Sequence, residues 1–142
     1  MNKEDIILSL NRILANFFVI FIKLYRYQWY AKGSHAYTMT MFFKELQLEM
    51  DTLIKDLSEY ILSLNGRPYA TMIKYVKEST IEEATADDEE EEMTYQLFTD
   101  LQVILEQISA LAKEADEPVR HYLYDLERVL KLKYAFIEKM RN

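Results

Sequence analysis

Hydrophobic residues recur along four stretches of this chain in alternating steps of three and four, the spacing that places them on one face of an α-helix. The four stripes are Ile6, Leu10, Ile13, Phe17, Ile20, Leu24 and Tyr27; Phe43, Leu46, Met50, Leu53, Leu57, Ile61 and Leu64; Leu97, Leu101, Ile104, Ile108, Leu111 and Ala115; and Val119, Leu123, Leu126, Leu130, Tyr134 and Ile137. The pattern predicts four amphipathic helices, the first over residues 3–32.

Residues that break helices are scarce, since the chain has only two glycines and two prolines. Gly33 follows the first stripe, where a left-handed backbone commonly ends a helix, and Thr38 is a candidate N-cap of the second helix. Gly66 ends the second helix, and Pro118 separates the third from the fourth. Residues 70–78 allow a short helix between the second and third. We therefore predict an all-α four-helix bundle with a short helix in a long crossover.

Composition limits the class of protein further. The chain has 142 residues, half of them hydrophobic, which suits one domain over residues 1–142. It contains no cysteine, so disulfides and thiolate metal sites are excluded, and a reducing cytoplasm is expected. The apolar run of residues 13–22 is interrupted by Asn16 and followed by Lys23. Because a bilayer span needs about 20 residues, no transmembrane helix is predicted.

The middle of the first helix is apolar around most of its circumference, because Phe18, Val19, Phe21 and Ile22 add to the stripe. Such a helix must be buried by more than its own bundle. A subunit interface is the expected use of this surface.

Glu82 to Glu92 carries eight acidic residues and no basic one, and so accounts for the net charge of −7. One interpretation is a solvated loop leading into the next helix, whose first turn favours acids. Another is a patch that collects cations. Its spacing does not match a defined calcium-binding loop.

A polar stripe follows one side of the second helix and consists of Thr40, Lys44, Asp51, Lys55 and Glu59. Contacts between Asp51 and Lys55 and between Lys55 and Glu59 would each contribute about 0.2–0.5 kcal/mol on a solvated face.

The turn between the first two helices resembles the signature of the Dps family, the mini-ferritins, W-Y-x-K-G-x-H-x-[FY]-T. The segments QWYAKGSHAYTM and LSEYILSLNGRPYATM carry the resemblance, which covers roughly Leu10 to Ile81. The matching residues are Trp29, Tyr30, Lys32, Gly33, His35, Tyr37, Thr38, Glu59, Gly66, Pro68, Ala70, Thr71 and Met72. The resemblance implies a ferritin-like fold, a homo-oligomeric twelve-subunit cage, iron storage and stress protection.

The resemblance also implies a di-iron ferroxidase centre between two subunits, built from two His and an Asp of one and an Asp and a Glu of the other. The corresponding positions, aligned without gaps from Trp29, are Gln28, Thr40, Lys44, Lys55 and Glu59. Only Glu59 keeps the family's residue and remains a candidate metal ligand. Iron needs carboxylate and imidazole donors, whereas an ammonium has no lone pair to give. We expect ferroxidase activity to be absent or weak and predict no cofactor, although iron remains possible by resemblance.

One hypothesis explains the two lysines at this site. Lys44 of one subunit pairs with Glu59 of its two-fold mate, so that an ammonium supplies the positive charge that iron supplies elsewhere in the family.

Two other properties of the family are weakened in this sequence. Acidic residues near the junction of the third and fourth helices line iron pores in the family. Asp116 and Glu117 are the possible counterparts, but Arg120 lies where another acid is expected. Relatives that bind DNA usually carry a Lys/Arg-rich tail; this chain has none, and its net charge repels phosphate, so DNA binding is not expected.

Three functions stay open on sequence alone. The first is a cage with a degenerate centre and a structural or passive storage role. The second is an active iron-oxidising mini-ferritin with a relocated carboxylate site, formed by Glu59 with Glu45, Glu49, Asp51 or Asp56. The third is a non-catalytic subunit or binding partner of an active paralogue.

Overall fold

The computed structural model describes residues 1–85 and 87–141. These residues form five helices: α1 (Lys3–Tyr30), α2 (Ala36–Ser63), α3 (Met72–Glu78), α4 (Glu90–Glu114) and α5 (Val119–Arg141). The predicted all-α architecture, with a short helix in the crossover between α2 and α4, is confirmed. The first helix ends two residues before its predicted end, and α3 starts at Met72 rather than at residue 70.

The four predicted stripes form the core, and each of their residues is buried or half-buried. The α1 helix packs against α2, α3 and α4, and α4 packs against α5. Leu10, Ile13, Phe17 and Leu24 on α1 are fully buried. Burying one such side chain contributes about 1.5–3 kcal/mol relative to leaving it exposed, so the stripes are the main source of stability.

Polar side chains of α1 hold the crossover against the bundle. Asn11 donates to the Arg67 carbonyl at 3.0 Å and accepts from the Tyr69 N–H at 2.9 Å. The fully buried Asn16 donates to Thr80 and Gln107 at 3.0 Å each. These two asparagines satisfy backbone and side-chain groups of the crossover that would otherwise be buried without partners.

Lys23 is the third buried polar residue of α1, after Asn11 and Asn16. Its side chain is 5% exposed, and its Nζ lies 2.6 Å from Asp100 Oδ2 on α4 and 3.0 Å from the Glu82 carbonyl. The polar residues that interrupt the apolar run of α1 therefore have partners inside the bundle.

By length and composition, α1 also qualifies as a candidate membrane-spanning helix. Half of its most apolar stretch is buried inside the bundle. The core helix of a bundle gives the same signal, and the buried contacts of Asn16 and Lys23 fit that interpretation.

The middle of α1 is covered in part by α3. Phe18 stacks on Tyr75, with ring centroids 4.2 Å apart, whereas Ile22 remains 43% exposed. The prediction that this whole surface needs a partner outside the chain is therefore wrong at Phe18, because the crossover helix folds back over it.

The turn between α1 and α2 is fixed by the segment that leads into α4. The Lys32 N–H donates to the Asp88 carbonyl at 2.8 Å, and the Glu90 N–H donates to the Lys32 carbonyl at 2.7 Å. The Glu90 carboxylate accepts the His35 N–H at 3.0 Å. Because α2 begins at Ala36 and its N-cap position is His35, the prediction of Thr38 as the cap is wrong.

Candidate functional site

The side of α2 that points away from the core combines charged and apolar side chains. We call this surface the outer face of α2; it consists of Met41, Lys44, Leu48, Asp51, Lys55, Glu59 and Leu62. Asp51 is half-buried and the others are exposed, with Leu48 65% and Leu62 57% accessible. Contacts between proteins bury exposed apolar side chains of this kind, although single ones are common on protein surfaces.

Gln28, on α1, is turned into its own bundle. Its Nε2 donates to Gln47 Oε1 at 2.6 Å and to the Leu24 carbonyl at 3.2 Å. The Gln47 Nε2 in turn donates to the Phe21 carbonyl at 2.9 Å. The sequence did not single out Gln47; the available signal was a glutamine on the buried side of α2. The two side-chain amides link α1 to α2 by hydrogen bonds, and the amide NH₂ of Gln28 is engaged in them.

Thr40 lies at the same seam, and its hydroxyl donates to the Gln28 carbonyl at 3.2 Å. Lys55 pairs with Asp51 at 2.9 Å, as predicted for neighbours one turn apart. The predicted contact between Lys55 and Glu59 does not form. Within residues 1–85 and 87–141, Lys44 and Glu59 form no ion pair.

A single chain cannot join Lys44 to Glu59. They are fifteen residues apart on one helix, which separates their backbones by about 22 Å along the axis. An ion pair between the two would therefore have to join Lys44 of one copy to Glu59 of another.

Large apolar side chains of α1 are exposed in its C-terminal half. Ile22, Tyr25 and Trp29 are 43%, 37% and 68% exposed, and the rings of Tyr25 and Trp29 stack with centroids 5.0 Å apart. Ile22 lies on the side of α1 that faces the crossover, where it lines a cavity with Met72 and Tyr75.

The buried Tyr27 of α1 reaches α4, where its hydroxyl donates to Gln96 Oε1 at 2.9 Å. Burial raises the pKa of Tyr27 well above its usual value, and the negative charges of Asp100 and Glu92 raise it further. The phenol therefore keeps its proton and acts as a hydrogen-bond donor between α1 and α4.

Comparison with known proteins identifies the family. A model of the ferritin-like domain matches residues 7–130. General stress protein 20U of Bacillus subtilis is 37% identical over 114 residues, which cover 80% of this chain and 79% of that protein. DNA protection during starvation protein 2 of Bacillus anthracis is 34% identical over 120 residues, 82% of each chain. The chain belongs to the Dps family of ferritin-like proteins.

The fold agrees with this assignment. A crystal structure of a Dps protein from Bacillus brevis matches with a TM-score of 0.93 at 26% identity, over the full length of both chains. The Dps family forms oligomeric cages. Contacts between subunits of a cage bury exposed apolar side chains of the kind found on α1 and α2.

The residues that the sequence alignment predicts for the di-iron positions have a chemistry that does not suit iron. Gln28 and Thr40 use their polar hydrogens within the bundle, and Lys44 and Lys55 present ammonium groups. In the part of the chain that the structure describes, no group of three or more His, Asp or Glu side chains is placed to hold a metal ion. Glu59 alone offers one carboxylate.

The carboxylates named for a relocated site are divided between separate contacts. Glu49 pairs with Lys133 of α5 at 2.8 Å, and Asp51 pairs with Lys55. Glu45, Asp56 and Glu59 are exposed. The described side chains do not bring these acids together into one donor set.

The possible pore residues lie on the turn between α4 and α5. Asp116 and Glu117 are exposed, and Glu117 accepts the His121 N–H at 3.2 Å. Arg120 turns back onto the end of α4, where it donates to the Ala112 and Ala115 carbonyls at 3.2 and 2.7 Å. Its guanidinium charge therefore lies at the negative end of a helix, a favourable position for a cation.

The acidic segment is more than a solvated loop. Asp88 pairs with Arg26 at 3.0 Å, and Glu90 holds the turn through His35. Glu82, Glu83 and Glu89 remain exposed. The expectation of a purely solvated loop is wrong for Asp88 and Glu90, which fix the start of α4.

Proposed function

We propose that this chain is a subunit of a Dps-type cage in which ferroxidase chemistry is lost and the role is structural or passive storage. The observation that carries the proposal is the chemistry of the di-iron positions, where two ammonium groups and an inward-bonded amide replace metal donors. The ammonium groups of Lys44 and Lys55 repel ferrous iron by their positive charge, and they have no lone pair with which to bind it.

A homo-oligomer, by resemblance a dodecamer, is the proposed form of the protein. The exposed apolar side chains of α1 and α3 support it: Trp29 is 68%, Met72 59% and Ile73 79% exposed. Isolated subunits that expose this much apolar surface would associate. We place the cage in the cytoplasm, where a protein without cysteine needs no oxidative folding.

Iron, as cargo, would enter such a cage by charge attraction alone. Asp116 and Glu117 at the α4–α5 turn are exposed, and Arg120 is bonded to α4 instead of to them. A direct DNA complex is not part of the proposal, because the net charge of −7 opposes phosphate contacts.

The deciding experiment is aerobic oxidation of ferrous iron followed by absorbance, with and without peroxide, on protein whose assembly size is measured in the same sample. We expect a rate equal to that of buffer in an intact cage. A saturable, protein-dependent rate would overturn the proposal and favour the relocated carboxylate site.

A gain-of-function variant supplies the matched control. Gln28→His, Thr40→His, Lys44→Asp and Lys55→Asp together introduce the donor types of the family around the native Glu59. We expect the variant to oxidise iron with a saturable rate that the wild type lacks. An inactive variant that still forms the cage would show that the Gln28–Gln47 seam or another feature, and not the donor set, prevents the chemistry.

A second candidate is a non-catalytic subunit that assembles with an active paralogue. The exposed Glu59 supports it, because the one surviving carboxylate is available to a partner's site. Mixed cages that oxidise iron in proportion to their active subunits, with this chain contributing none, would favour this role.

A further inference from the structure

Two tyrosines join α2 to α5 by direct contact of their rings. Tyr60 of α2 and Tyr122 of α5 lie with ring centroids 3.9 Å apart and ring planes 8° from parallel. Aromatic pairs in proteins usually have centroids about 4.5–7 Å apart, so this pair is unusually close. Both residues are half-buried, and the buried Tyr60 hydroxyl has no hydrogen-bond partner within the described residues. The contact between the two residues is therefore made by their rings.

Other tyrosines that pack on an aromatic ring have different neighbours. Tyr25 stacks on a tryptophan, and a phenylalanine ring packs against each of Tyr27, Tyr75 and Tyr134. In the part of the chain that the structure describes, the pair between α2 and α5 is the only contact between two phenol rings. Oxidative coupling of phenols needs two such rings within reach of each other, and this pair alone meets that condition inside one subunit.

We propose that Tyr60 and Tyr122 are a site of oxidative cross-linking, at which a peroxide converts the pair into a dityrosine that ties α2 to α5. Each phenol gives up one electron and its hydroxyl proton, and the two phenoxyl radicals form a carbon–carbon bond between the ring positions ortho to their oxygens. In sum, one carbon–carbon bond forms and two ring C–H bonds break. The two hydrogen atoms reduce the O–O bond of the peroxide to two O–H groups.

The geometry of the rings suits this bond. The unpaired electron of a phenoxyl radical occupies π orbitals perpendicular to the ring plane, so two such radicals couple through their faces. Nearly parallel rings at 3.9 Å direct these orbitals at each other. Reactants held about 3–3.5 Å apart with aligned orbitals react as if in one molecule. After coupling, each ring becomes aromatic again when its ortho carbon loses a proton.

A carboxylate beside the pair can accept the proton that an oxidised phenol releases. Burial raises the pKa of Tyr122, and the negative charge of Asp56 raises it further. The phenol is therefore protonated before oxidation. Loss of an electron makes a phenol a strong acid, and Asp56 is exposed, so it can pass the proton on to solvent.

A covalent bond at this place would change the stability of the bundle. The α2 and α5 helices also meet at the Glu49–Lys133 pair, at 2.8 Å, but that pair is partly exposed and contributes little. A cross-link between residues 60 and 122 restricts the unfolded chain in the way that a disulfide does. We therefore expect the cross-linked chain to unfold at a higher urea concentration than the untreated chain.

The test treats the iron-free protein with persulfate, a peroxide, under visible light with tris(bipyridine)ruthenium as the one-electron oxidant. We expect dityrosine fluorescence in chains that keep the mobility of a single subunit on a denaturing gel. Mass spectrometry of a digest should find the peptides of Tyr60 and Tyr122 joined, with the loss of two hydrogen atoms. Coupling between exposed tyrosines of different copies would instead give chains that migrate as dimers.

Conservative variants assign the bond to the two residues. Tyr60→Phe and Tyr122→Phe keep an aromatic ring and remove the phenol, so each should abolish the joined peptides. Tyr124→Phe is the matched control, because Tyr124 is 52% exposed on the same helix, and it should give the wild-type yield. Circular dichroism checks that the variants remain helical.

Two results would overturn the assignment of this site. One is the absence of joined Tyr60 and Tyr122 peptides in wild-type protein whose exposed tyrosines have reacted. The other is an undiminished yield of dityrosine within single chains in Tyr60→Phe. The reaction contains no iron, so neither result depends on the ferroxidase test of the proposed function.

Discussion

Lys23 and Lys44 are two lysines in very different surroundings. Lys23 is 5% exposed and has an acid and a carbonyl within 3.0 Å. Lys44 is exposed beside apolar residues and makes no ion pair within the described residues. Burial of a charge requires a counterpart. The bundle supplies one for Lys23, whereas Lys44 is exposed to solvent and needs none.

The two environments differ in how much a charge pair contributes to the free energy of unfolding. Removing one partner of a buried pair costs about 3–5 kcal/mol, because it leaves a charge without compensation. An exposed pair such as Asp51–Lys55 contributes about 0.3–0.5 kcal/mol. The exposed charges of α2 therefore contribute little to the folding of one chain.

The largest effect is expected at the buried pair. Asp100→Ala should lower the free energy of unfolding by about 3 kcal/mol, because Lys23 keeps only the Glu82 carbonyl as a partner. Urea denaturation at a fixed protein concentration measures this loss, since assembly makes stability depend on concentration.

The double variant Lys23→Met/Asp100→Leu separates charge from packing. Replacing both partners with apolar groups of similar size removes the uncompensated charge and should recover most of the stability. A double variant as unstable as Asp100→Ala would mean that shape at this site, and not charge, determines the loss.

The sequence predicted the helices well because their signal is local. Each stripe, from Ile6 to Ile137, depends on residues three or four positions apart, and each is buried as expected. The assignment of Glu59 and the four replaced ligands to the di-iron positions, made from the turn signature, stays a prediction. Their metal-binding capacity follows from residue chemistry and needs no coordinates.

The contacts that hold these elements together were not predictable in the same way. Asn16 bonds to Thr80 and Gln107, and Lys23 bonds to Asp100. The residues of these pairs are 64 to 91 positions apart, and no local pattern links them. In the sequence, Asn16 and Lys23 were only interruptions of an apolar run.

A medium effect is expected at the acidic segment. Glu90→Ala removes the acceptor of the His35 N–H at the start of α2 and should cost about 1 kcal/mol, as for loss of an N-terminal cap. Thermal unfolding measures the change. Glu89→Ala is the control, since Glu89 is exposed and makes no side-chain cap bond. Equal losses in both variants would indicate that the charge of the segment, and not the Glu90 contact, supports the turn.

The smallest effect is expected at the partly exposed pair between α2 and α5. Lys133 lies 2.8 Å from Glu49, with 21% and 43% of the side chains exposed, so Lys133→Gln should cost about 0.5 kcal/mol. The variant also releases Glu49, one of the alternative acids named for a relocated site. Calorimetric titration with ferrous iron under anaerobic conditions should show no saturable binding, because releasing one carboxylate does not assemble a donor set. Binding in Lys133→Gln but not in Lys139→Gln would instead support the relocated site. A loss of stability as large as that of Asp100→Ala would show that exposure is not what separates the two kinds of charge pair.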